Sequence, residues 1–144
     1  NFCMNKIKVA INGGGRIGRA FFRIAFDRDD IEVVAINDLG NIDNIAYLLK
    51  YDTAYGRKFQ SVTVSPDKSK IIVDGREVGF ISEKEPAKLP WKDFDIDVVV
   101  ESTGFFTKYS DAKVHLDVGA KRVVITVRRE HPLRRPSGAG PGRP

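Results

Sequence analysis

Residues 6–23 constrain the fold of this chain most, because they read as a strand, a glycine-rich turn and a helix. Ile7, Val9 and Ile11 alternate in a short β-branched run, which predicts a buried strand. Three glycines follow at the spacing G-x-G-x-x-G: Gly13, Gly15 and Gly18. Apolar residues then recur at i, i+4, i+7 and i+8, which predicts one helical face made of Ile17, Phe21, Ile24 and Ala25.

Each glycine has a physical role in this pattern. Gly13 permits a tight turn out of the strand, and Gly15 has no side chain to keep a pyrophosphate away from the backbone. Gly18 lets the helix pack closely on the strand. The unpaired N–H groups at the helix start, together with the helix dipole, then face the phosphates. The pattern predicts a dinucleotide cradle.

A second strand ends in an acid where such a cradle needs one. Residues 31–36 read as a buried strand, and Asp38 follows twenty residues after Gly18, where a carboxylate accepts hydrogen bonds from an adenosine ribose. The alternative is that Asp38 only caps a turn, but the order of the elements favours cofactor binding. A 2′-phosphate beside this carboxylate would meet a repulsion of roughly 4 kcal/mol per charge pair at about 4 Å, so Asp38 favours NAD over NADP.

The rest of the chain continues the alternation of strands and helices. Asn41 is a plausible cap for a helix that buries Ile42, Ile45 and Leu49, and Asp74-Gly75 predicts a hairpin between two β-prone runs. Residues 96–100 predict a strand, residues 109–119 a helix with Tyr109, Ala112 and Leu116 on one face, and residues 122–126 a last strand. We therefore expect an α/β fold of the Rossmann type. It is a doubly wound, mostly parallel sheet with an antiparallel hairpin insert, incomplete at its C-terminal end.

Small polar residues follow the strand at 96–100. Ser102, Thr103 and Gly104 lie at the carboxyl end of this strand, the edge where ligands bind in open α/β sheets. A hydroxyl or backbone N–H there can reach a cofactor ribose or phosphate. A plain strand-to-helix turn explains these residues equally well.

Composition excludes several classes of protein. No segment approaches the roughly 18 apolar residues of a membrane span, and no signal-peptide layout is visible at the N-terminus. Cys3 is the single cysteine, so we expect no internal disulfide, a reducing compartment and a cytoplasmic location. The net charge is +5, but residues 127–144 hold five of the 24 basic residues and one of the 19 acidic ones, which leaves +1 for the rest. The body therefore has an ordinary solvated surface, and a nucleic-acid partner is not expected.

The motifs taken together resemble one enzyme family. Over residues 6–126, the runs at 8–13, 15–19, 37–39, 90–91, 101–106 and 119–126 resemble the N-terminal half of glyceraldehyde-3-phosphate dehydrogenase. Erythrose-4-phosphate dehydrogenase is a close relative that this half does not separate from it. The resemblance implies an NAD-binding domain of an oxidoreductase that oxidises an aldehyde in glycolysis with hydride transfer to NAD. It also implies that the intact family forms homo-oligomers.

The resemblance also implies roles for matching positions. Backbone N–H groups of Arg16 and Ile17 would meet the pyrophosphate, with Asn12 and Gly13 lining the same turn. Asn37 would lie beside Asp38 at the adenosine ribose, and Lys84 near the adenine. On the nicotinamide side would lie Thr103, Gly104 and Thr126.

The chain departs from the family at several points. Gly14 replaces a phenylalanine, so we expect weaker binding rather than loss of the site. Lys84 replaces an arginine, which keeps the positive charge but loses the planar stacking surface. The family's nucleophile lies in a Ser-Cys-Thr-Thr-Asn motif that is absent here. Cys3 is expected to be a bystander, His131 lies in the tail, and His115 is expected to be a surface or partly packed residue. We expect this chain alone to be catalytically inactive, a domain truncated before the cysteine.

The resemblance stops at Val127. The Arg/Pro/Gly-rich residues 127–144 predict a disordered tail next to a domain over residues 1–126, and their composition is typical of translation in a shifted reading frame. The alternative function is a non-catalytic nucleotide-binding module whose basic tail contacts nucleic acid. No aromatic residues are interleaved with the arginines, which disfavours it.

Overall fold

Seven strands and three α-helices make up the described part of the chain. The computed structural model describes residues 5–52, 58–105 and 109–126, so the predictions for Cys3, His131 and the tail at 127–144 lie outside the described residues. In chain order the elements are β1 (Ile7–Asn12), α1 (Arg16–Phe26), β2 (Ile31–Asn37), α2 (Ile42–Tyr51), β3 (Val62–Val64), β4 (Lys70–Val73), β5 (Arg76–Ile81), a 3₁₀ turn (Pro86–Lys88), β6 (Val98–Glu101), α3 (Tyr109–Asp117) and β7 (Arg122–Ile125).

The seven strands form one sheet in the order β3-β4-β5-β2-β1-β6-β7. The five strands from β5 to β7 run parallel, and β4 pairs antiparallel with both β3 and β5. This confirms the predicted Rossmann-type sheet with its antiparallel insert. The chain leaves β1 for β2 on one side and reaches β6 on the other, so the carboxyl ends of β1 and β6 border the crevice where such sheets bind ligands.

The hairpin between β4 and β5 turns at the predicted dipeptide. Asp74 and Gly75 both have positive φ, 46° and 84°, which is the backbone that a tight two-residue hairpin turn requires. Ile71 and Val73 on β4 are completely buried, so the insert extends the sheet and contributes to its core.

Apolar side chains cover both faces of the sheet. One cluster lies under α1 and α2 and includes Ile11, Phe22 and Leu49. The other includes Ala10, Trp91 and Ile96 and lies on the opposite face, next to the 3₁₀ turn and α3. Because both faces are covered, the central strands read as nearly continuous apolar runs.

The predicted apolar face of α1 was wrong in two of its four positions. Ile17 and Ile24 are 43% and 67% exposed, whereas Phe22 and Ala25 are buried. The rotation of the helix follows from Gly18: a Cβ there would lie 2.0 Å from the Gly13 carbonyl oxygen, so this glycine must face the sheet. Phe22 then packs edge-on against Phe59, with ring centroids 5.7 Å apart.

The prediction for α3 was also partly wrong. Tyr109 is 79% exposed, while Ala112 and His115 are buried. His115 was expected to be a surface or partly packed residue, yet its side chain is fully buried, and both ring nitrogens have polar partners inside the protein.

Candidate functional site

The glycine-rich turn joins β1 to α1 with almost no space for side chains. Gly13 has φ +107°, and its N–H donates to the Asn37 carbonyl oxygen at 2.8 Å. A Cβ at Gly13 would lie 2.9 Å from the backbone at Ser102, whereas a Cβ at Gly15 would meet nothing within 4 Å. The turn is therefore packed against β6 at Gly13 and open to solvent at Gly15.

The N-terminus of α1 has no side-chain cap. Gly15 is the N-cap residue, and the first backbone hydrogen bond into it runs from the Arg19 N–H to the Gly15 carbonyl oxygen, at 2.9 Å. The preceding N–H groups of Arg16 and Ile17 have no acceptor within the helix, and both residues are exposed. An uncapped, exposed helix N-terminus is a site where phosphate oxygens bind.

Asp38 lies beside this turn, half-buried at the end of β2. One of its carboxylate oxygens accepts from the Gly14 N–H at 2.7 Å, and the other accepts from the Gly40 N–H at 2.7 Å. The Asp38 N–H itself donates to the Ile81 carbonyl oxygen at 3.0 Å. The carboxylate is thus fixed next to the uncapped helix start, and each of its oxygens has a further lone pair for a ribose hydroxyl.

A crevice of about 550 Å³ opens between these elements. It brings together eight of the predicted site residues: Asn12, Gly13, Gly15, Asn37, Asp38, Lys84, Ser102 and Thr103. The other five do not line it. Arg16 and Ile17 begin α1, Gly18 packs beneath the turn, Gly104 is exposed after β6, and the Thr126 hydroxyl donates to the Glu101 carbonyl oxygen at 2.9 Å.

Several predicted residues have their polar groups occupied by the protein itself. The Ser102 hydroxyl donates to the Gly13 carbonyl oxygen at 2.9 Å, which ties β6 to the glycine turn. The Asn37 amide nitrogen donates to the Asn12 side-chain oxygen at 2.8 Å, and its oxygen accepts from the Glu83 N–H at 2.9 Å. The side chains of Ser102, Asn37 and Asn12 therefore shape the wall of the crevice.

Five lining residues were missed by reasoning from the sequence. They are Leu39, Glu83, Pro86, Leu89 and Phe105. Leu39 and Phe105 directly follow predicted site residues at strand ends, so their neighbourhood was a usable signal. Glu83, Pro86 and Leu89 flank the predicted Lys84, but their part in the wall depends on the tertiary fold, which carries this segment across the end of β2.

Glu101, the last residue of β6, was also missed, although it is the most constrained polar group at the site. It is 1% exposed. One carboxylate oxygen accepts from the Asn12 side chain and from His115 Nε2, each at 2.7 Å, and the other accepts from the Thr103 N–H at 3.0 Å and from the Thr103 hydroxyl. Burial raises the pKa of the Glu101 carboxyl, but the hydrogen bonds from His115, Thr103 and Asn12 outweigh it and hold that pKa below its usual value.

His115 links Glu101 to Trp91, which belongs to the apolar cluster next to α3. The indole N–H of Trp91 donates to His115 Nδ1 at 3.0 Å. Because an indole nitrogen can only donate, Nδ1 carries no proton, and the single imidazole proton lies on Nε2, facing Glu101. The Nδ1 lone pair is thus occupied by Trp91 and the ring is fully buried, so His115 presents no base to the crevice.

The crevice combines groups that suit the binding of a dinucleotide. Its described lining contains no cysteine and no histidine, whereas it combines a helix N-terminus, a carboxylate and apolar walls.

No helix within the described ranges is long and apolar enough to cross a membrane.

The family model described as glyceraldehyde 3-phosphate dehydrogenase, NAD binding domain, matches residues 7–109. Glyceraldehyde-3-phosphate dehydrogenase 1 of Bacillus cereus is 50% identical over 119 residues, which cover 83% of this chain and 35% of that protein. The enzyme of Thermotoga maritima is 50% identical over 121 residues, and enzyme 1 of Kluyveromyces lactis is 48% identical over 121 residues; each match covers 83% of this chain and 36% of the relative. This chain thus spans about a third of the length of these relatives. The chain therefore belongs to the glyceraldehyde-3-phosphate dehydrogenase family, and NAD is the cofactor of the domain that it matches.

Proposed function

We propose that this chain binds NAD in the crevice at the carboxyl ends of β1, β2 and β6. The pyrophosphate would lie on the N–H groups of Arg16 and Ile17, and the hydroxyl groups of the adenosine ribose would donate to the Asp38 carboxylate. The nicotinamide half would extend towards Ser102, Thr103, Gly104 and Thr126. One observation carries the proposal: a fixed carboxylate and an uncapped helix N-terminus border the same crevice.

The adenine would lie between the strand ends of β2 and β5. Lys84, Pro86 and Leu89 line this side of the crevice and offer apolar surface with one cation at its rim. Lys84 keeps a positive charge near the adenine but lacks the planar stacking surface of an arginine.

In a protein of the relatives' full length, this domain would hold NAD for aldehyde oxidation. The substrate, glyceraldehyde 3-phosphate or erythrose 4-phosphate, and assembly into a homo-oligomer belong to this proposal, as does a cytoplasmic location. The division into a domain over residues 1–126 and a tail over residues 127–144 stays a prediction. The chain alone should oxidise no aldehyde, because its one cysteine, Cys3, precedes the first strand.

The test is a calorimetric titration of the full chain with NAD and with NADP. We expect saturable NAD binding with 1:1 stoichiometry and NADP binding weaker by at least about tenfold, because the 2′-phosphate would face the Asp38 carboxylate. Asp38→Asn should weaken NAD by about tenfold, since hydrogen bonds to a charged acceptor are lost, and should narrow the gap to NADP. Asp93→Asn is the matched control on an exposed turn. Equal affinities for NAD and NADP would contradict the assignment of Asp38.

A further inference from the structure

We propose that the buried carboxylate of Glu101 is a positioning residue for one half of the dinucleotide site, the half over β1 and β6. The inference rests on the proposed binding of NAD in the crevice. Glu101 does not line the crevice itself, so it would act through the residues that it holds.

Glu101 joins two walls of the crevice that belong to different strands. One oxygen holds the side chain of Asn12 at the end of β1, and the other holds the N–H and hydroxyl of Thr103, just after β6. Both Asn12 and Thr103 line the crevice. Because three donors from the two walls converge on one carboxylate, Glu101 fixes the Asn12 side chain relative to Thr103.

The direction of the hydrogen bonds in this network is fixed from both ends. Trp91 can only donate, so His115 must present its proton to Glu101. At the other end, the backbone of Glu83 accepts from the Asn37 amide nitrogen at 3.0 Å and donates to the Asn37 oxygen, which leaves Asn37 as a donor to Asn12. Asn12 must then direct its amide nitrogen to Glu101, so the oxygen that contacts Asn12 and His115 accepts from both, and the other oxygen accepts from the Thr103 N–H.

A stable fold alone does not demand a carboxylate here. Among the described residues no lysine or arginine pairs with Glu101, and the imidazole of His115 contacts it through a hydrogen bond. A buried, ionised carboxylate is costly without several strong donors. The chain retains one where it holds Asn12 and Thr103 in place, which favours a role at the site.

In the other half of the site, the Asp38 carboxylate accepts no hydrogen bond from the Glu101 network, and Asn37, which the network reaches through Asn12, is also held by two hydrogen bonds with the Glu83 backbone. Asp38 receives its hydrogen bonds from Gly14 and Gly40, and its own N–H donates to Ile81. Loss of the carboxylate should therefore disturb the nicotinamide half and spare the adenosine half. This separation distinguishes positioning from a general loss of structure.

The experiment compares NAD with AMP, which carries only the adenosine half, by titration of the full chain. In Glu101→Gln the amide nitrogen meets a donor, whichever way the amide is oriented: Asn12 and His115 on one side, or the Thr103 N–H on the other. We expect NAD to bind at least about tenfold more weakly, because a buried donor loses its charged acceptor. AMP affinity should change by less than about twofold, the range of an ordinary surface substitution. Glu77→Gln, at an exposed position of β5, is the matched control and should leave both affinities unchanged.

His115 supplies a second, independent pair of variants. His115→Gln keeps an N–H donor towards Glu101 and should retain NAD affinity within about threefold, whereas His115→Leu removes the donor and should behave like Glu101→Gln. Trp91 is the only tryptophan, so its single indole N–H resonance reports whether the buried network persists in each variant. A variant that loses this resonance together with its thermal transition is unfolded. If that variant is His115→Leu, the Glu101→Gln data decide; if it is Glu101→Gln, the comparison of His115→Leu with His115→Gln decides.

Weaker NAD binding with AMP binding retained supports the proposal. Equal losses of NAD and AMP affinity in a folded Glu101→Gln variant overturn it, and so does an unchanged NAD affinity. If the unaltered chain binds AMP and NAD equally well, the nicotinamide half contributes nothing and this inference fails alone. If it binds neither, the proposed function fails with it.

Discussion

Three glycines of one motif perform three different physical tasks in this chain. Gly13 adopts a positive φ, Gly18 is pressed against the Gly13 carbonyl oxygen, and Gly15 has open space around its missing Cβ. Only the first two tasks concern the fold. The third concerns what approaches from outside, so the motif contains both structural and binding requirements that substitution can separate.

Alanine at Gly15 and alanine at Gly18 should therefore affect different properties: NAD affinity in the first variant and stability in the second. Gly15→Ala should change the free energy of unfolding by less than about 1 kcal/mol, as expected at an N-cap, yet weaken NAD at least about tenfold by blocking the pyrophosphate. Gly18→Ala should destabilise the fold by about 2–3 kcal/mol, because a Cβ there overlaps backbone. Urea denaturation and NAD titration measure the two effects. Unchanged NAD affinity in Gly15→Ala would count against the cradle.

The sequence was informative about residues whose role is local and much less about those with distant partners. The glycine turn and Asp38 follow from spacing along the chain, and the crevice brings them together. Glu101 and His115 lie 14 residues apart, and Asn12 lies 89 residues from Glu101. No spacing rule connects such positions, because the sheet order decides which strand ends meet.

At the scale of elements, α2 shows how a short helix is started. The Asn41 side-chain oxygen accepts from the Asp43 N–H at 2.8 Å, and the apolar face of Ile42, Ile45 and Leu49 is buried as predicted. The cap satisfies one of the N–H groups that a helix start leaves unpaired. In contrast, α1 has no such cap.

Removal of this cap should be measurable. Asn41→Ala should lower the free energy of unfolding by about 1 kcal/mol, because one N–H at the helix start loses its acceptor. Asn44→Ala is the matched control, since this exposed residue lies inside the same helix, where alanine is favoured by roughly 0.5 kcal/mol. Thermal or urea unfolding of the two variants checks the difference. A control that destabilises as much as Asn41→Ala would refute the cap.

The sequence predicted which elements exist better than how they are rotated. Strands and the hairpin followed from β-branched runs and Asp74-Gly75, and they are present with shifts of one or two residues at their ends. The face of α1 could not be predicted from apolar spacing, because the close contact of Gly18 with the turn determines the rotation. Periodicity describes which residues share a face, but packing decides which face is buried.

At the scale of the whole molecule, several carboxylates favour their ionised form in the folded state. Hydrogen bonds from Lys121 and from the Lys8 N–H lower the pKa of Asp97, and donors around Glu101 overcome the effect of burial and lower its pKa. Hydroxyl groups of Ser65 and Ser69 lower the pKa of exposed Asp67 to about 2. Around pH 4 the folded chain therefore binds fewer protons than the unfolded chain.

Stability should consequently fall in acid. These carboxylates contribute fully above their unfolded pKa values of about 4, and the contribution is lost as the pH falls through their lower folded pKa values. We expect the free energy of unfolding from urea titrations to decline below about pH 5. The decline should be shallower in Glu101→Gln than in the unaltered chain. A pH dependence that is identical in the two proteins would exclude a contribution from Glu101.

The central position of β1 has a consequence for synthesis on the ribosome. This strand is translated before the other six described strands, but β6, which completes its hydrogen bonding, follows 89 residues later, as measured between Asn12 and Glu101. At roughly 5–20 residues per second, the interval is on the order of ten seconds. During this interval β1 can pair on one edge only, so the pairing of its other edge waits until the chain has grown past residue 101.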